Sequence, residues 1–395
     1  MPGRDELLGM NLEFPLGENE VRLRTEVWDF ARRVLMPLAE KADRNDEPDE
    51  DVTRAIRGAG LFRNFLPQEY GGTGVSVTKL CVIREALAYA CVASDEFFAS
   101  QGVAVQPIVM FGTTEQKRKY VDGLLTGSRL YAFCLTEPVA GSDIRGIRTT
   151  ARKTDRGFLL NGTKRFVFRG NEADTLIVFA KLGPAEERGS LTGFLFDRPA
   201  KGLSVRPFPL MFPAPEFEVC LQDCFVPDEG ILGEPGKGAH VALSNLDRLR
   251  PSVGAAAVGM GQRALDSVLE YVRSRRAFDR RLADFQGVQF KLAESATELA
   301  AARLMVYAAA RRADDAPPGI DVRVSSAAAK LFATETAQRV IDSALQFHGG
   351  VGLVRGSVTE RLYKAIRATR IYEGASEIMK LVIGGAITGD RGSRV

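Results

Sequence analysis

The sequence is poor in the residues that enzymes most often use for metal binding and for nucleophilic catalysis. Its 395 residues include only two histidines, His240 and His348, and five cysteines. The cysteines are odd in number, dispersed and free of any CxxC pair, so neither a disulfide framework nor a zinc site is expected. With two histidines, metal chemistry and Ser-His or Cys-His nucleophiles have little material. Carboxylates or a bound organic cofactor are the better candidates, and no metal is predicted.

An excess of one charge and long apolar runs are also missing. The 53 lysines and arginines nearly balance the 50 acidic residues, which gives a formal net charge of +3. Proteins that bind nucleic acids usually carry a concentrated basic face, so this function is not expected. No segment approaches the roughly 18 apolar residues of a membrane-spanning helix, and the first twenty residues lack the pattern of a secretory signal. We therefore expect a cytoplasmic protein without membrane insertion.

Hydrophobic periodicity divides the chain into three predicted domains. Residues 17 to about 128 are mainly of helical period, and residues 1–128 form a predicted N-terminal helical domain. Residues 129–238 contain short β-branched and aromatic runs separated by Gly and Pro, which predicts a central β domain with a hairpin turn at Asn161-Gly162. Residues 239–395 return to the helical period. Because strands and helices do not alternate, a Rossmann domain is not expected.

The C-terminal region has the pattern of an antiparallel helical bundle. One apolar face recurs at steps of three and four residues from Val288 to Val306. Pro317-Pro318-Gly319 should end that helix, and a second helix is predicted over about 321–347. Long helices with alanine-rich faces and short breaks are typical of such bundles.

Two stretches combine residues suited to chemistry. In the first, residues 131–143, Gly141 permits a close backbone approach and Thr136 and Ser142 can donate hydrogen bonds to a ring carbonyl or a phosphate. In the second, residues 369–378, Glu373 lies between an aromatic residue and a glycine, a setting that can suit a general base. By residue type alone the commoner alternatives are a strand exit and a helix-capping acid, a role that Glu377 could fill equally well.

Two further stretches are suited to binding a cofactor. The arginine-rich segment 275–281, followed by Phe285-Gln286, could pair with phosphate, although a solvated loop is the more common explanation. The segment 346–352 ends a helix in a glycine cluster that could lie against a cofactor or could simply stop the helix. His348 within it is predicted to be structural.

Taken together, these stretches resemble the acyl-CoA dehydrogenase family over residues 17–387. The resemblance rests on five motifs in the family's order and spacing: LTEPVAGSD at 135–143, NGTK at 161–164, RRAF with FQ at 275–286, QFHGGVG at 346–352 and IYEGASEI at 371–378. It implies an α+β fold with an N-terminal helical domain, a central β domain and a C-terminal four-helix bundle. It also implies FAD as the cofactor.

The resemblance assigns most of these positions to FAD. The residues that it implies as cofactor contacts are Phe133, Leu135, Thr136, Gly141, Ser142, Phe166, Val167, Phe168, Arg275, Phe278, Gln286, Gln346, Gly349, Gly350, Ala375 and Glu377. Those from 275 to 286 and from 346 to 350 would hold the FAD of a neighbouring subunit. A homo-oligomer, usually a tetramer in the family, is therefore implied.

The resemblance also implies the chemistry. Glu373 matches the family's base, which removes the α-proton of an acyl thioester while a hydride passes from the β-carbon to flavin N5. The implied substrate contacts are Ser142, Asp247, Arg250, Tyr372 and Gly374. Some members carry the base at the position of Leu249, and leucine cannot act as one. Electrons would then pass to an electron-transfer flavoprotein.

Several positions depart from the family's pattern, and they predict an atypical acyl substrate on CoA or on an acyl carrier protein. The strand expected to face the flavin reads Phe166-Val167-Phe168, where the family commonly has Trp-Ile-Thr. Asp279 replaces a usual glycine, Ala375 replaces a usual threonine, and the segment 211–216 lacks the usual Arg, Ser and Asp. A flavin monooxygenase on the same fold is the main alternative, although those proteins generally lack the carboxylate base.

Overall fold

The computed structural model describes residues 14–42, 50–183, 191–212, 214–317 and 320–389. Pro318 and Gly319 of the predicted helix break, and Pro213 of the divergent segment, lie outside the described residues. Contacts group the chain into two compact units. The helical unit contains the described residues of 14–42, 77–92 and 248–389, and the sheet unit contains those of 50–76 and 93–247. The three domain boundaries expected from the sequence remain a prediction.

Helices account for most of the chain outside the central sheet. In chain order they are α1 Glu18–Phe30, α2 Met36–Ala42, α3 Glu50–Gly58, α4 Val77–Ala90, α5 Val92–Phe111, α6 Thr114–Leu125, α7 Gly238–Ser274, α8 Gln286–Asp315, α9 Arg323–His348, α10 Val358–Thr369 and α11 Ser376–Thr388. A π turn, Ala31–Leu35, joins α1 to α2. None of the helices described is both long enough and apolar enough to span a bilayer.

The core of the helical unit is built from small side chains. Ala296, Leu299, Ala302 and Val306, the predicted apolar face of α8, are buried together with alanines of α7 and α9. Small residues let helices approach closely, and the area that they remove from water stabilises the bundle by roughly 25 cal/mol per Å². The predicted break between α8 and α9 is confirmed by the end of α8 at Asp315 and the start of α9 at Arg323.

The sheet unit is organised around one eight-stranded sheet. Its strands are β1 Tyr131–Cys134, β2 Thr150–Thr154, β3 Gly157–Phe168, β4 Thr175–Leu182, β5 Leu191–Asp197, β6 Leu203–Pro207, β7 Glu216–Pro227 and β8 Ile231–Leu232. Their order is β6-β7-β3-β2-β4-β5-β8, and β1 pairs with β4. The β1–β4 and β2–β4 pairs are parallel and the other pairs are antiparallel. N-terminal helices, a central sheet and a C-terminal bundle confirm the predicted fold class.

The predicted hairpin turn at Asn161-Gly162 is wrong. Strand β3 runs straight through both residues, and the turn falls instead between Thr154 and Gly157. At Asn161 the ladder to β7 shifts register. The Asn161 side chain donates to Asp223 and accepts from the Asp223 backbone amide at 2.9 Å each. A turn-forming dipeptide here marks a bulge, because the partner strand continues on the other side.

Candidate active site

Glu373 lies in a short loop that joins α10 to α11. The loop closes where the backbone N–H of Ser376, the first residue of α11, donates to the Arg370 carbonyl at 3.0 Å. Glu373 has φ +53° and Gly374 has φ +104°, both in the left-handed region. For a residue with a side chain this conformation costs roughly 1–2 kcal/mol. A glutamate held this way requires contacts that fix the loop.

Two buried cations supply such contacts. Arg250, on α7, donates from Nε to the Glu373 carbonyl at 3.0 Å. Lys330, on α9, donates from Nζ to the Gly374 carbonyl at 2.7 Å. Arg250 is 4% exposed and Lys330 is completely buried. Hydrogen bonds from charged donors are stronger than neutral ones, so consecutive carbonyls of the loop are firmly oriented.

A carboxylate of α9 ties both ends of the same loop. Glu335 Oε1 accepts from Arg370 Nε at 2.8 Å and from Ser376 Oγ at 2.6 Å. Burial raises the pKa of Glu335, but these two hydrogen bonds and the nearby positive charges outweigh it and hold the pKa below its usual value. Glu335 is therefore ionised at neutral pH and fixes the loop as an acceptor.

The residues around Glu373 have distinct exposures. Tyr372 and Glu373 are half-buried, and Glu373 Oε2 is shielded from solvent. A Cβ at Gly374 would lie 2.5 Å from Met379 Cε, so the methionine side chain would have to move to admit one. Ala375 precedes α11 without a side-chain cap, and Glu377 is exposed in its first turn.

On α7, the position used by some family members for the base is occupied by buried Leu249. The predicted contact Asp247 lies on the same helix, is half-buried, and belongs to the sheet unit. Within the residues described, the helical unit thus groups Glu373 with Arg250 and with Lys330.

In the sheet unit, the predicted flavin loop leaves β1 and folds against β3. Phe133 packs edge-on against Phe179 with ring centroids 5.1 Å apart, and Leu135 is buried. The Thr136 carbonyl accepts from the backbone N–H of Arg165 at 2.8 Å, which places the loop beside the start of the predicted ring-facing segment. The structure thereby brings the predicted FAD contact Thr136 close to the predicted contact Phe166, which follows Arg165.

A buried ion pair, Lys164 with Glu137, stabilises this loop. Lys164 Nζ donates to Glu137 Oε1 at 2.8 Å, and it also donates to the carbonyls of Leu135 and Phe179. Glu137 accepts in addition from the backbone N–H groups of Arg148 and Thr149 at 2.6 and 3.0 Å. Burial raises the pKa of Glu137, but the Lys164 charge and these donors outweigh it and hold the pKa below its usual value.

The end of β3 is bent. Phe166 has φ +53° where the β3–β7 register shifts, and its ring is half exposed. It packs edge-on against Phe208 at 5.0 Å, while Val167 is completely buried. Phe168 lies opposite Glu216 of β7. Directly paired residues of adjacent strands share a face, so the Phe168 ring and the Glu216 carboxyl group are neighbours. Phe168 occupies the position where the family commonly has threonine.

The carboxyl group of Glu216 is poorly solvated. Its Oε2 is buried and has no hydrogen-bond partner among the described residues. Burial raises the pKa of Glu216 to about 7. This carboxyl group therefore takes up a proton much closer to neutral pH than an exposed glutamate does.

Replacing Glu216 by glutamine should make the protein more stable at alkaline pH. Between about pH 4.5 and 7 the folded state binds more protons at this site than the unfolded state, so the free energy of unfolding falls as the pH rises. We expect Glu216→Gln to add about 1–2 kcal/mol at pH 8, discounted for partial exposure, and little at pH 4. Urea unfolding at both values, with exposed Glu229→Gln as control, measures this. Equal pH dependence in the wild type and Glu216→Gln would contradict it.

The predicted FAD contacts of residues 275–286 lie at one end of the helical bundle. Strands β9 Arg276–Ala277 and β10 Arg280–Arg281 form a small hairpin directly after α7. Phe278, at its tip, is 89% exposed with φ +51°, and Asp279 keeps φ +61°, which explains why glycine is usual there. Arg275 and Gln286 flank the hairpin and are also exposed.

His348 and the predicted FAD contacts around it lie at the same end of the helical bundle. Its ring stacks on Tyr271 of α7 with centroids 4.6 Å apart, and its Nδ1 lies 2.7 Å from the Ala344 carbonyl. Gln346, Gly349 and Gly350 beside it are exposed. His348 therefore has the structural role expected from the sequence.

Sequence models of three domains match the chain in order. They describe the acyl-CoA dehydrogenase N-terminal domain at residues 17–128, the middle domain at 132–223 and the C-terminal domain at 236–388. The chain belongs to the acyl-CoA dehydrogenase family.

Individual relatives cover nearly the whole of this acyl-CoA dehydrogenase family member. An acyl-CoA dehydrogenase of Bacillus subtilis is 34% identical over 377 residues, which are 94% of this chain and 98% of the relative. A 3-(aryl)acrylate reductase of Clostridium sporogenes is 35% identical over 370 residues, 93% and 97% of the two chains. A solved acyl-CoA dehydrogenase of Bacillus anthracis, complexed with FAD, superposes with a TM-score of 0.85 at 29% identity, over 95% of this chain and 67% of that one.

Sequence reasoning gave no role to Lys164, Glu335 and Lys330, which fix these loops, or to the shielded carboxyl group of Glu216. One signal was available. Lys330 interrupts an otherwise small and apolar helix face between Ala327 and Ala333, and a lone lysine in such a face indicates a specific buried partner. The partners themselves are far away in the sequence, so no local pattern identifies them.

Proposed function

We propose that this family member is an FAD-dependent dehydrogenase of an acyl thioester in which Glu373 removes the α-proton. The observation that carries the proposal is the loop of Glu373. The backbone of this residue has a strained conformation, and Arg250 fixes it by donating to the Glu373 backbone carbonyl. Preorganisation of this kind is expected of a catalytic group and is costly for a surface loop. The relationship to acyl-CoA dehydrogenases supplies the substrate class.

The residues proposed to hold FAD are compatible with it. Gly141, Gly349 and Gly350 have no atom within 4 Å of an added Cβ, so a ligand can lie against their backbone. The exposed Phe278 is suited to contact FAD held mainly by a second copy of the chain, which supports the proposed homotetramer. When bound, FAD supplies the acceptor for the electron pair and the hydrogen lost from the β-carbon. We propose an electron-transfer flavoprotein as the next acceptor.

The protein's own part is the proton transfer. Glu373 would accept the proton from the α-carbon while negative charge develops on the thioester oxygen. That charge needs donors, and the backbone N–H of Glu373 is the one that we propose from this chain. Arg250 binds the backbone carbonyl of the same residue, so it fixes the backbone of the proposed base.

The substrate is proposed to differ from a straight alkyl chain. Phe168 places a bulky ring where the family commonly has threonine, and Glu216 places a carboxyl group opposite it. We expect slow turnover of straight-chain acyl-CoAs and a gain of at least about tenfold in Phe168→Thr, since removing steric overlap restores productive orientation. Steady-state rates with butyryl-, octanoyl- and palmitoyl-CoA and an artificial electron-accepting dye measure this.

Branched, aromatic and amino-substituted acyl groups on CoA and on an acyl carrier protein complete the panel, which decides between the two carriers. Fast turnover of straight chains by the wild type, unchanged in Phe168→Thr, would contradict the proposal of an atypical substrate. Stoichiometric oxygen consumption with a hydroxylated product would favour a monooxygenase instead.

A further inference from the structure

Lys330 is a charged residue in a place that usually excludes charge. It lies in the middle of α9, completely buried, and its neighbours on the same face are the buried Ala327, Ala333 and Thr334. Lysine is among the residues least often found fully buried without a partner. Its burial therefore indicates a specific task for the ammonium group.

The contacts of the Lys330 ammonium group show what it binds. Lys330 Nζ donates to the Gly374 carbonyl at 2.7 Å. The charged groups that act on it are Glu373 and Glu335, which attract it, and Arg250 and Arg370, which repel it. Burial is the largest influence and lowers the pKa of Lys330 to about 8, so it is still mainly protonated at neutral pH.

Arg250 and Lys330 together hold two consecutive carbonyls, those of Glu373 and Gly374. These are the two residues of the loop with positive φ. The Gly374 carbonyl belongs to the peptide between Gly374 and Ala375. The hydrogen bond from Lys330 fixes that peptide, while its charge stabilises the ionised form of the Glu373 carboxylate.

We propose that Lys330 is a positioning residue for Glu373, which pins the Gly374 carbonyl and keeps a positive charge beside the carboxylate. The pinning depends only on the contacts above, whereas its meaning for catalysis rests on the proposed function. The loop should therefore loosen without Lys330 whatever reaction the protein catalyses.

Hydrogen exchange and pH profiles test this in the FAD-loaded protein. Lys330→Met removes the charge and the donor, Lys330→Gln removes the charge and keeps an N–H donor on a shorter side chain, and Lys330→Arg keeps both charge and donor. Lys201→Met, in an exposed turn of the sheet unit, is the matched control. Amide exchange of a peptide covering residues 370–376 is followed by mass spectrometry, and kcat/KM is measured against pH.

In Lys330→Met we expect exchange in this peptide to accelerate by about 10–100-fold, the value of one hydrogen bond to a charged donor. The acid limb of the kcat/KM profile should move to higher pH in Lys330→Met and in Lys330→Gln. Lys330→Arg should retain the wild-type acid limb. If kcat/KM of the wild type falls above about pH 8 because Lys330 loses its proton, that fall should be absent from Lys330→Arg, since arginine stays protonated.

Wild-type exchange in this peptide would overturn the pinning of the Gly374 carbonyl, and an unmoved acid limb would overturn the proposed effect of the Lys330 charge on the carboxylate. If Lys330→Met does not fold, the acid limb of Lys330→Gln decides in its place. The two proposals fail separately: an active Glu373→Gln refutes the base but leaves the pinning intact, whereas unchanged exchange in Lys330→Met refutes the pinning alone.

Discussion

Replacing Glu373 by glutamine is expected to lower the dehydrogenation rate by about 10²–10⁴-fold, the usual contribution of a positioned general base. Glutamine has nearly the same size and shape but cannot accept the α-proton at neutral pH. Arg250 and Lys330 bind backbone carbonyls, so the loop should keep its conformation in the variant. Steady-state turnover of the best thioester in the panel measures the effect, and flavin absorbance shows whether FAD is retained.

The matched control is Glu298→Gln. Glu298 is an exposed glutamate of α8 that pairs with Arg339 at the surface. Such pairs contribute little, so this variant should keep both rate and FAD. A Glu373→Gln variant with FAD bound and with a rate near that of the wild type would refute the assignment of the base.

Replacing Lys164 by methionine is expected to destabilise the protein by about 3–5 kcal/mol, because the Glu137 carboxylate loses its partner inside the sheet unit. The remaining donors, the amides of Arg148 and Thr149 and the Thr149 hydroxyl, are uncharged and cannot neutralise its charge. Removal of one member of a buried pair costs more than removal of both. Lys164→Met combined with Glu137→Leu should therefore be less destabilised than Lys164→Met alone.

Urea unfolding at pH 7 measures this effect. Lys153→Met is the matched control, because Lys153 lies on the neighbouring strand β2 and pairs with Asp228 with both side chains more than half exposed. That loss should cost less than about 1 kcal/mol. The pKa of Glu137 is depressed in the fold, so its contribution is full above its unfolded pKa and is lost as the pH falls through the folded value. Equal losses in Lys164→Met and Lys153→Met would contradict the prediction.

Much of the fold could be predicted because its elements are long and periodic. The apolar steps of α8 follow from burial of one face, and the proline break before α9 follows from local backbone chemistry. The turn prediction at Asn161-Gly162 was wrong for a physical reason. The dipeptide tolerates turn conformations, but pairing of β3 with β7 on one side and β2 on the other kept the strand continuous, and only a bulge remained.

The candidate site was predictable only where a motif carries it. The IYEGASEI motif locates Glu373, yet nothing in those letters reveals its positive φ or the two cations that hold its loop. Lys330 lies 43 residues before Glu373 and Arg250 lies 123 residues before it. Pairings of that sequence separation depend on the assembled bundle. Lys164 and Glu137 are likewise joined by the sheet and not by any local pattern.

The most direct test of Glu373 as the base is the exchange of the substrate α-proton with solvent. Wild-type protein and Glu373→Gln are each incubated in deuterated water, without an electron acceptor, with the thioester that the wild type turns over fastest. Nuclear magnetic resonance then follows deuterium at the α-carbon. We predict incorporation by the wild type and incorporation at least about 10²-fold slower with Glu373→Gln. Equal incorporation by both proteins would show that another group removes the proton.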